Sequence, residues 1–492
     1  MKVLLVYPEI PDTFWSFKYA LPFIGKRALM PPLGLLTVAA MLPPTWDRRL
    51  VDLNVTSLTE MDLAWADYAF ISAMVVQRES ARHLIHRCKE GGLKVVAGGP
   101  LFRWEHQQFG EVDHFILGEA EVTLPSFLVD LESGDPQHVY FSTGFAAMEK
   151  SPAPQWDLVN FRYYSSAAIQ FSRGCPFDCE FCDITSTLGR KPRVKTSAQV
   201  ITELDKLHRL GWHDPVFFVD DNFIGPKRAC KMLLSELIVW RKGKEGMPFN
   251  TQASLNLADD EELMDLMVKA GFDSVFVGIE TVDEEGLREC GKRQNLKRDL
   301  LHDVQTIQSA GLEVQGGFIC GFDHDDHSIF ERLKDFIQRS GIVTAMVGLL
   351  QALPGTKLHK RLAEEKRLLD VTSGDNVDAV TNLYPVMGPE ALLKGYKDVL
   401  AFLYEPRNYY ARIRVLLRVL NPPKVRTPFE WRYVTAFIRS LVFLGIVGRE
   451  RVYYWRLLLW TVFNRPTLLS HAVTYMIFGY HFRKIRERVA PT

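Results

Sequence analysis

Cysteine is scarce: seven in 492 residues, three of them within residues 175–182 and the others, Cys88, Cys230, Cys290 and Cys320, scattered. That distribution excludes a disulfide framework and fits a reducing, cytoplasmic compartment. Long apolar runs are missing too. The stretch of about 16 residues after Arg465-Pro466 contains His471 and is short for a membrane span. Low-complexity segments and short repeats are absent. The start, Met1-Lys2-Val3-Leu4-Leu5-Val6-Tyr7, lacks a cleavage region and reads as a first strand, so secretion is not expected. Net charge is zero but uneven: residues 401–492 carry 16 Lys/Arg against 4 Asp/Glu, a basic module on an acidic body.

What remains is an ordinary globular composition, 47% hydrophobic and 24% charged, in a chain long enough for two or three packed units. Short apolar runs at 3–7, 49–52, 68–72, 94–97 and 114–117 alternate with helical patterns such as 33–41 and 80–90. They predict an α/β, doubly wound (Rossmann-like) sheet over 1–132, an architecture that binds nucleotides and cofactors. A linker is expected over 133–164, around Pro136, Pro152 and Pro154. A second alternation follows, with strands at 168–172, 216–220, 249–254, 274–280, 313–320 and 345–351 and helices such as 198–210, 261–270 and 296–310. Six β/α units predict a partial barrel over 165–385, with functional groups at the C-terminal strand ends. Residues 386–492 are predicted helical, at 407–420, 431–447, 453–463 and 468–486.

The segment Phe171-Ser172-Arg173-Gly174-Cys175-Pro176-Phe177-Asp178-Cys179-Glu180-Phe181-Cys182 presents three thiols as C-x3-C-x2-C directly after a predicted strand. Thiolates are the ligands of iron–sulfur clusters, and three for four irons leave one iron open. Gly174 lets the backbone bend close to the cluster. The competing readings are a structural zinc site or incidental core cysteines. Zinc usually takes four ligands in paired knuckles, and no second pair or nearby His completes this set. Cys320 reads as a small core residue rather than a fourth ligand, and His324 and His327 lie in an acidic loop at a strand end.

This spacing at the end of a first barrel strand resembles the radical S-adenosylmethionine (SAM) superfamily. The resemblance implies a [4Fe-4S] cluster on Cys175, Cys179 and Cys182, with SAM chelating the open iron and cleaved reductively to a 5′-deoxyadenosyl radical. It implies an electron donor such as flavodoxin or ferredoxin. It also implies SAM contacts from Phe181 beside the adenine, from Gly278 and Glu280 in Gly278-Ile279-Glu280, and from Gly317 and Ile319 in Gly317-Phe318-Ile319-Cys320-Gly321. Asp220-Asp221-Asn222 departs from the glycine-rich segment often found there, and Asp221 is the candidate for the SAM amino group.

A doubly wound domain ahead of such a barrel resembles the cobalamin-binding class. Met30-Pro31-Pro32-Leu33-Gly34-Leu35-Leu36, Val96-Ala97-Gly98-Gly99-Pro100 and Leu117-Gly118-Glu119-Ala120-Glu121 match it in order and spacing. The resemblance implies cobalamin contacts from Pro32, Gly34, Gly98, Gly99, Gly118 and Glu119, with Met74 and Val75 near cobalt. Many cobalamin proteins ligate cobalt with the His of D-x-H-x-x-G; here Asp52-Leu53-Asn54 puts Asn54 at that position, a loss shared by radical SAM members. A flavodoxin-like domain kept for structure or another ligand is the alternative.

The C-terminal helices carry Arg, Tyr and Trp through every apolar run. Two readings stay open: amphipathic helices lying at an anionic membrane surface, which would make the protein peripheral at the inner membrane face, or a cap packed on the barrel. No nucleic-acid recognition motif is present. The segments 455–460 and 474–482 resemble the C-terminal extension of the hopanoid 2-methylase group. That resemblance implies a methyltransferase acting on an unactivated carbon of a lipid-like or tetrapyrrole substrate received by the apolar cap. Ring formation or rearrangement without methyl transfer, and a non-catalytic cobalamin or redox sensor, are the alternatives.

Overall fold

The computed structural model describes residues 1–369, 372–375, 377–423 and 425–489. Its apolar runs condense into two parallel sheets. In the first, β1 (Lys2–Tyr7), β2 (Asp47–Asp52), β3 (Tyr68–Ser72), β4 (Lys94–Gly98), β5 (His114–Leu117) and β6 (Val139–Phe141) lie in the order β2-β1-β3-β4-β5-β6. Leu4 and Val6 bury into the core on one face, Val3 and Leu5 into the core on the other, which is why the run is apolar without alternation. The order reverses between β1 and β3, and a crevice opens beyond the carboxyl ends of strands at such a switch point. Strand β6 lies inside the expected linker. It has three residues, of which only Tyr140 is buried, too few to leave a pattern in the sequence.

The second sheet starts at β7 (Ala167–Ile169). A separate antiparallel hairpin follows, β8 (Ser172–Arg173) with β9 (Arg193–Val194). Then come β10 (Val216–Phe218), β11 (Phe249–Ala253), β12 (Phe272–Glu280), β13 (Glu313–Cys320) and β14 (Ala345–Leu349), each paired in parallel with its predecessor in the sheet. Strands β7 and β14 are the two edges, so the six β/α units form an open barrel. On β12, Val275, Val277 and Ile279 are buried, whereas the alternate residues Phe276 and Gly278 are half-buried. Trp15, from the loop after β1, packs edge-on against Phe276 at 5.3 Å and donates its indole N–H to Met346 Sδ at 2.9 Å. The N-terminal unit thereby contributes a side chain to the barrel.

The C-terminal module is helical and packs on the barrel, sharing one core with its strands. The helix Pro389–Tyr404 begins beside Gly321, after β13, and runs down β14, its Tyr396 and Tyr404 hydroxyls on the carbonyls of Val347 (3.2 Å) and Ala345 (2.5 Å). Later segments meet residues that lead into strands: Tyr475 bonds Glu313 (3.0 Å), the Arg426 carbonyl accepts from Gly246 N (2.6 Å), and Arg432 pairs with Asp214. Beyond its first helix the module therefore lies across the amino-terminal ends of the barrel, opposite the cysteine loop. Helical periodicity shows that a face is apolar; it does not show which end of a barrel the face meets.

Candidate functional site

The cysteine loop connects β8 to β9 and is clamped at several points. Asp220, fully buried after β10, accepts from Phe171 N at 3.1 Å, from Ser172 N, and from Ser172 Oγ at 2.5 Å. This pull turns the chain out of β7 at Gln170-Phe171, so the expected 168–172 strand splits into β7 and β8. Asp221 accepts from Gly174 N at 2.9 Å. Burial raises both carboxyls, Asp220 to about 7 and Asp221 to about 6. Gly174 sits at φ +93°, and a Cβ there would stand 2.8 Å from Gly189 O, so only glycine fits this bend. On the far side, Glu180 N donates to Cys290 O (2.8 Å), and the Glu180 carboxylate is gripped by Arg361 (2.7 and 3.1 Å).

Within this frame Cys179 is buried and Cys175 and Cys182 are half-buried. Burial pushes all three thiols up, Cys182 to about 12, and the Lys292 ammonium draws each of them down. Among the described residues no three His, Cys, Asp or Glu side chains converge as the ligands of a single ion would. Thiolates on a multi-iron cluster each take a different iron, so the donor chemistry of this loop fits such a cluster.

Glu280 and Lys292 form a buried ion pair, Nζ to Oε1 2.6 Å, at the mouth of the barrel. Glu280 closes β12 at φ +69°, a left-handed conformation that costs a non-glycine residue about 1 kcal/mol or more and turns the side chain onto Lys292. A Cβ on Gly278 would collide with this pair. Gly278 stands in register with Gly317 on β13. Ile319 packs with Phe181, from the cysteine loop, against the cluster around Cys290, Phe322 and Leu350. The residues expected to contact SAM thus come together at the carboxyl ends of β12 and β13, except Asp221, which is engaged in holding Gly174. Cys320 is fully buried, a core residue. His324 is exposed and pairs with Glu289 at 2.9 Å.

In the N-terminal unit, Gly98, Gly99 and Gly118 are half-buried at the carboxyl edge of the sheet. Gly99 has φ +96°, and a Cβ would stand 2.7 Å from Ser72 Oγ and 3.1 Å from Ala73 O. Met74 is exposed and Val75 half-buried beside them. Pro32 is buried and precedes the helix Leu33–Met41, on whose first turn Gly34 is exposed. Asn54 gives its amide to Asp52 (2.6 Å) and Pro8 O (3.1 Å) and accepts from Ile10 N (2.8 Å), so its polar atoms bind the protein. Glu119 is likewise engaged: Arg193 (2.6 Å) and Arg173 (3.2 Å) hold its two oxygens.

Those pairs belong to a seam between the two sheets. Glu119 and Glu121 follow β5 and bind Arg173 and Arg193 of the cysteine hairpin. Arg103, after β4, donates to Ser186 O (3.3 Å), Arg78, after β3, donates to Thr372 O (3.0 Å), and Trp104 lies against Gly355. Every partner lies beyond the carboxyl end of a strand of one of the two six-stranded sheets, Arg173 and Arg193 in the hairpin that follows β7. The carboxyl edges of both sheets therefore face one another.

Family models match in the same order: B12 binding domain over residues 27–128, radical SAM superfamily over 169–337, and a domain of unknown function (DUF4070) over 356–492. An uncharacterized methyltransferase of Synechocystis sp. is 40% identical, covering 99% of this chain and 92% of that protein. The hopanoid C-2 methylase of Rhodopseudomonas palustris is 35% identical over 98% of this chain and 92% of its own. The chain belongs to the cobalamin-dependent radical SAM methyltransferase family. Its fold matches that of the radical SAM methyltransferase TsrM from Kitasatospora setae, solved with cobalamin and a [4Fe-4S] cluster, at a TM-score of 0.63 and 15% identity over 99% of each chain.

Three features of this radical SAM methyltransferase escaped the sequence reading: Lys292 beside the thiols, the Glu119/Glu121–Arg173/Arg193 seam, and Trp15 in the barrel. Each depends on partners distant in sequence. The one available signal was the pair of glutamates closing the Gly118 motif.

Proposed function

We propose that this enzyme transfers a methyl group to an unactivated carbon of a lipid-like or tetrapyrrole substrate. The observation that carries this reading is the face-to-face arrangement of the two carboxyl edges, which brings the edge of the first sheet that bears Gly98, Gly99 and Gly118 to the cysteine hairpin of the second. On this reading Cys175, Cys179 and Cys182 hold the [4Fe-4S] cluster. Phe181, Gly278, Glu280, Gly317 and Ile319 hold SAM, and Asp221 acts through Gly174 to fix the loop. Cobalamin lies along Met74, Val75, Gly98, Gly99 and Gly118, with Pro32, Gly34 and Asn54 shaping its rim and Glu119 tying that rim to the hairpin. When bound, these groups supply hydrogen abstraction from carbon and a transferable methyl group.

The chain's own contribution is position and exclusion of water. The hairpin arginines fix the loop against the first sheet, and the Lys292 ammonium favours thiolate over thiol. Asn54 offers no imidazole, so no histidine of this loop reaches cobalt. An electron donor such as flavodoxin or ferredoxin completes the system. The hopanoid-methylase relative supports a lipid-like substrate, and with it peripheral contact at the inner membrane face.

The test uses reconstituted, reduced protein and product counting. Methyl transfer gives S-adenosylhomocysteine together with 5′-deoxyadenosine. Deoxyadenosine without S-adenosylhomocysteine assigns a non-methylating radical reaction, and failure to cleave SAM rejects both. Comparing metabolites of cells with and without the protein for a difference of one methylene identifies the substrate.

A further inference from the structure

Outer-surface composition changes abruptly at residue 429. Among the described residues 27 large apolar side chains are exposed at the surface, and 13 of these lie between Phe429 and Phe463. This segment folds as two helices, Trp431–Val442, which continues as a π-helical turn Phe443–Val447, and Arg451–Asn464. Each has an inner stripe that packs, with Ala436, Ser440 and Leu444 on the first and Tyr454, Leu457 and Thr461 on the second. Each also has an outer apolar stripe. On the second helix it is Val452, Trp455, Leu459, Val462 and Phe463, spaced at three and four residues. On the first it runs through Trp431, Ile438, Val442 and Ile446. Trp431 at 74%, Val447 at 71% and Phe463 at 81% exposure are the kind of surface that marks an interaction site.

The fully exposed charges on this hairpin are of one sign. Arg439, Arg449, Arg451 and Arg456 are exposed. Among the described residues from 421 to 466 the carboxylates are Glu430, paired with Arg432 at 2.7 Å, and Glu450, buried and paired with Arg483. Trp and Tyr favour the boundary of a bilayer, and arginines beside them favour anionic headgroups. Neither helix, nor any other among the described residues, is long and apolar enough to cross a membrane.

We propose that the helical hairpin 429–464 is the surface by which this enzyme docks, without crossing, on an anionic lipid bilayer. The inference rests on the peripheral-contact part of the functional reading and is independent of methyl transfer. Because the hairpin lies at the amino-terminal end of the barrel, docking turns that end toward lipid.

The test is co-sedimentation of the full chain with phosphatidylcholine vesicles, with and without phosphatidylglycerol. The wild-type protein is expected to bind the anionic vesicles and to be released by salt. Trp455→Ser/Phe463→Ser is expected to weaken binding about tenfold, and Arg449→Glu/Arg451→Glu by at least about tenfold, on anionic vesicles only. All four positions are exposed, and unchanged circular dichroism checks the fold. A wild-type protein that ignores vesicles overturns membrane contact altogether. Wild-type binding that both variants retain overturns the hairpin while leaving the peripheral reading in place. Self-association removed by the serine variant, with no vesicle binding, assigns the surface to a second copy of the chain and also overturns the proposal.

Discussion

Arg173, two residues before the first clustered cysteine, sets its guanidinium against Glu121 of the N-terminal unit, Nη2 to Oε1 2.8 Å and Nη1 to Oε2 3.0 Å. Burial pushes the Glu121 carboxyl up, and the hydrogen bonds and charge of Arg173 more than offset it, holding it down to about 2. The folded value lies below the unfolded one, so the pair contributes stability above pH about 4.5 and loses it as pH falls toward 2. Glu121→Gln is therefore expected to cost about 2–3 kcal/mol at pH 7. Denaturant unfolding should show the gap to wild type narrowing below pH about 4.5; a gap that stays constant would count against the ion pair as its source.

Replacing Cys175, Cys179 or Cys182 by Ala should abolish the cluster absorbance and SAM cleavage while the circular dichroism spectrum persists. Cys320→Ala, in the core, should keep its iron. Full iron content in any of the first three variants would remove that residue from the ligand set.

At Gly99 both φ and space forbid a side chain. Gly99→Ala is expected to lower stability by about 1–2 kcal/mol, the order of strain at such positions, and to weaken cobalamin binding measured by absorbance titration. Gly110→Ala, in the same unit with nothing within 4 Å of the new methyl, should leave both unchanged. Equal cobalamin affinity in the Gly99 variant would move the corrin away from this edge.

Lys292→Met strands the Glu280 carboxylate in a buried site, at a cost of about 3–5 kcal/mol. Adding Glu280→Gln should recover a large part of that loss, because an amide costs less to bury than an unpaired charge. A double variant no more stable than the single one would mean that Lys292 acts chiefly through the thiols.

Much of the fold was legible because it is written locally. The helices Leu33–Met41 and Glu261–Ala270 and the strand Glu313–Cys320 fall at the boundaries the sequence implies, since period and caps are short-range properties. The cysteine motif was legible because its three donors are close in sequence. Glu119 and Asn54 were legible only as positions in a motif: that Glu119 is spent on two arginines, and Asn54 on Pro8 and Ile10, depends on chain segments that no period announces. Lys292 left no signal at all, because its partner is set by the left-handed turn at Glu280.

The clamps on the cysteine loop bear on when it can form. Arg173 reaches back 52 residues to Glu121, whereas Glu180 must wait for Arg361, 181 residues later. A chain made from its amino terminus folds its first sheet early, and the hairpin arginines find their glutamates soon after they emerge. The far wall of the loop arrives only once the last β/α unit has been synthesised. The loop is thus fully clamped only late in the life of the nascent chain.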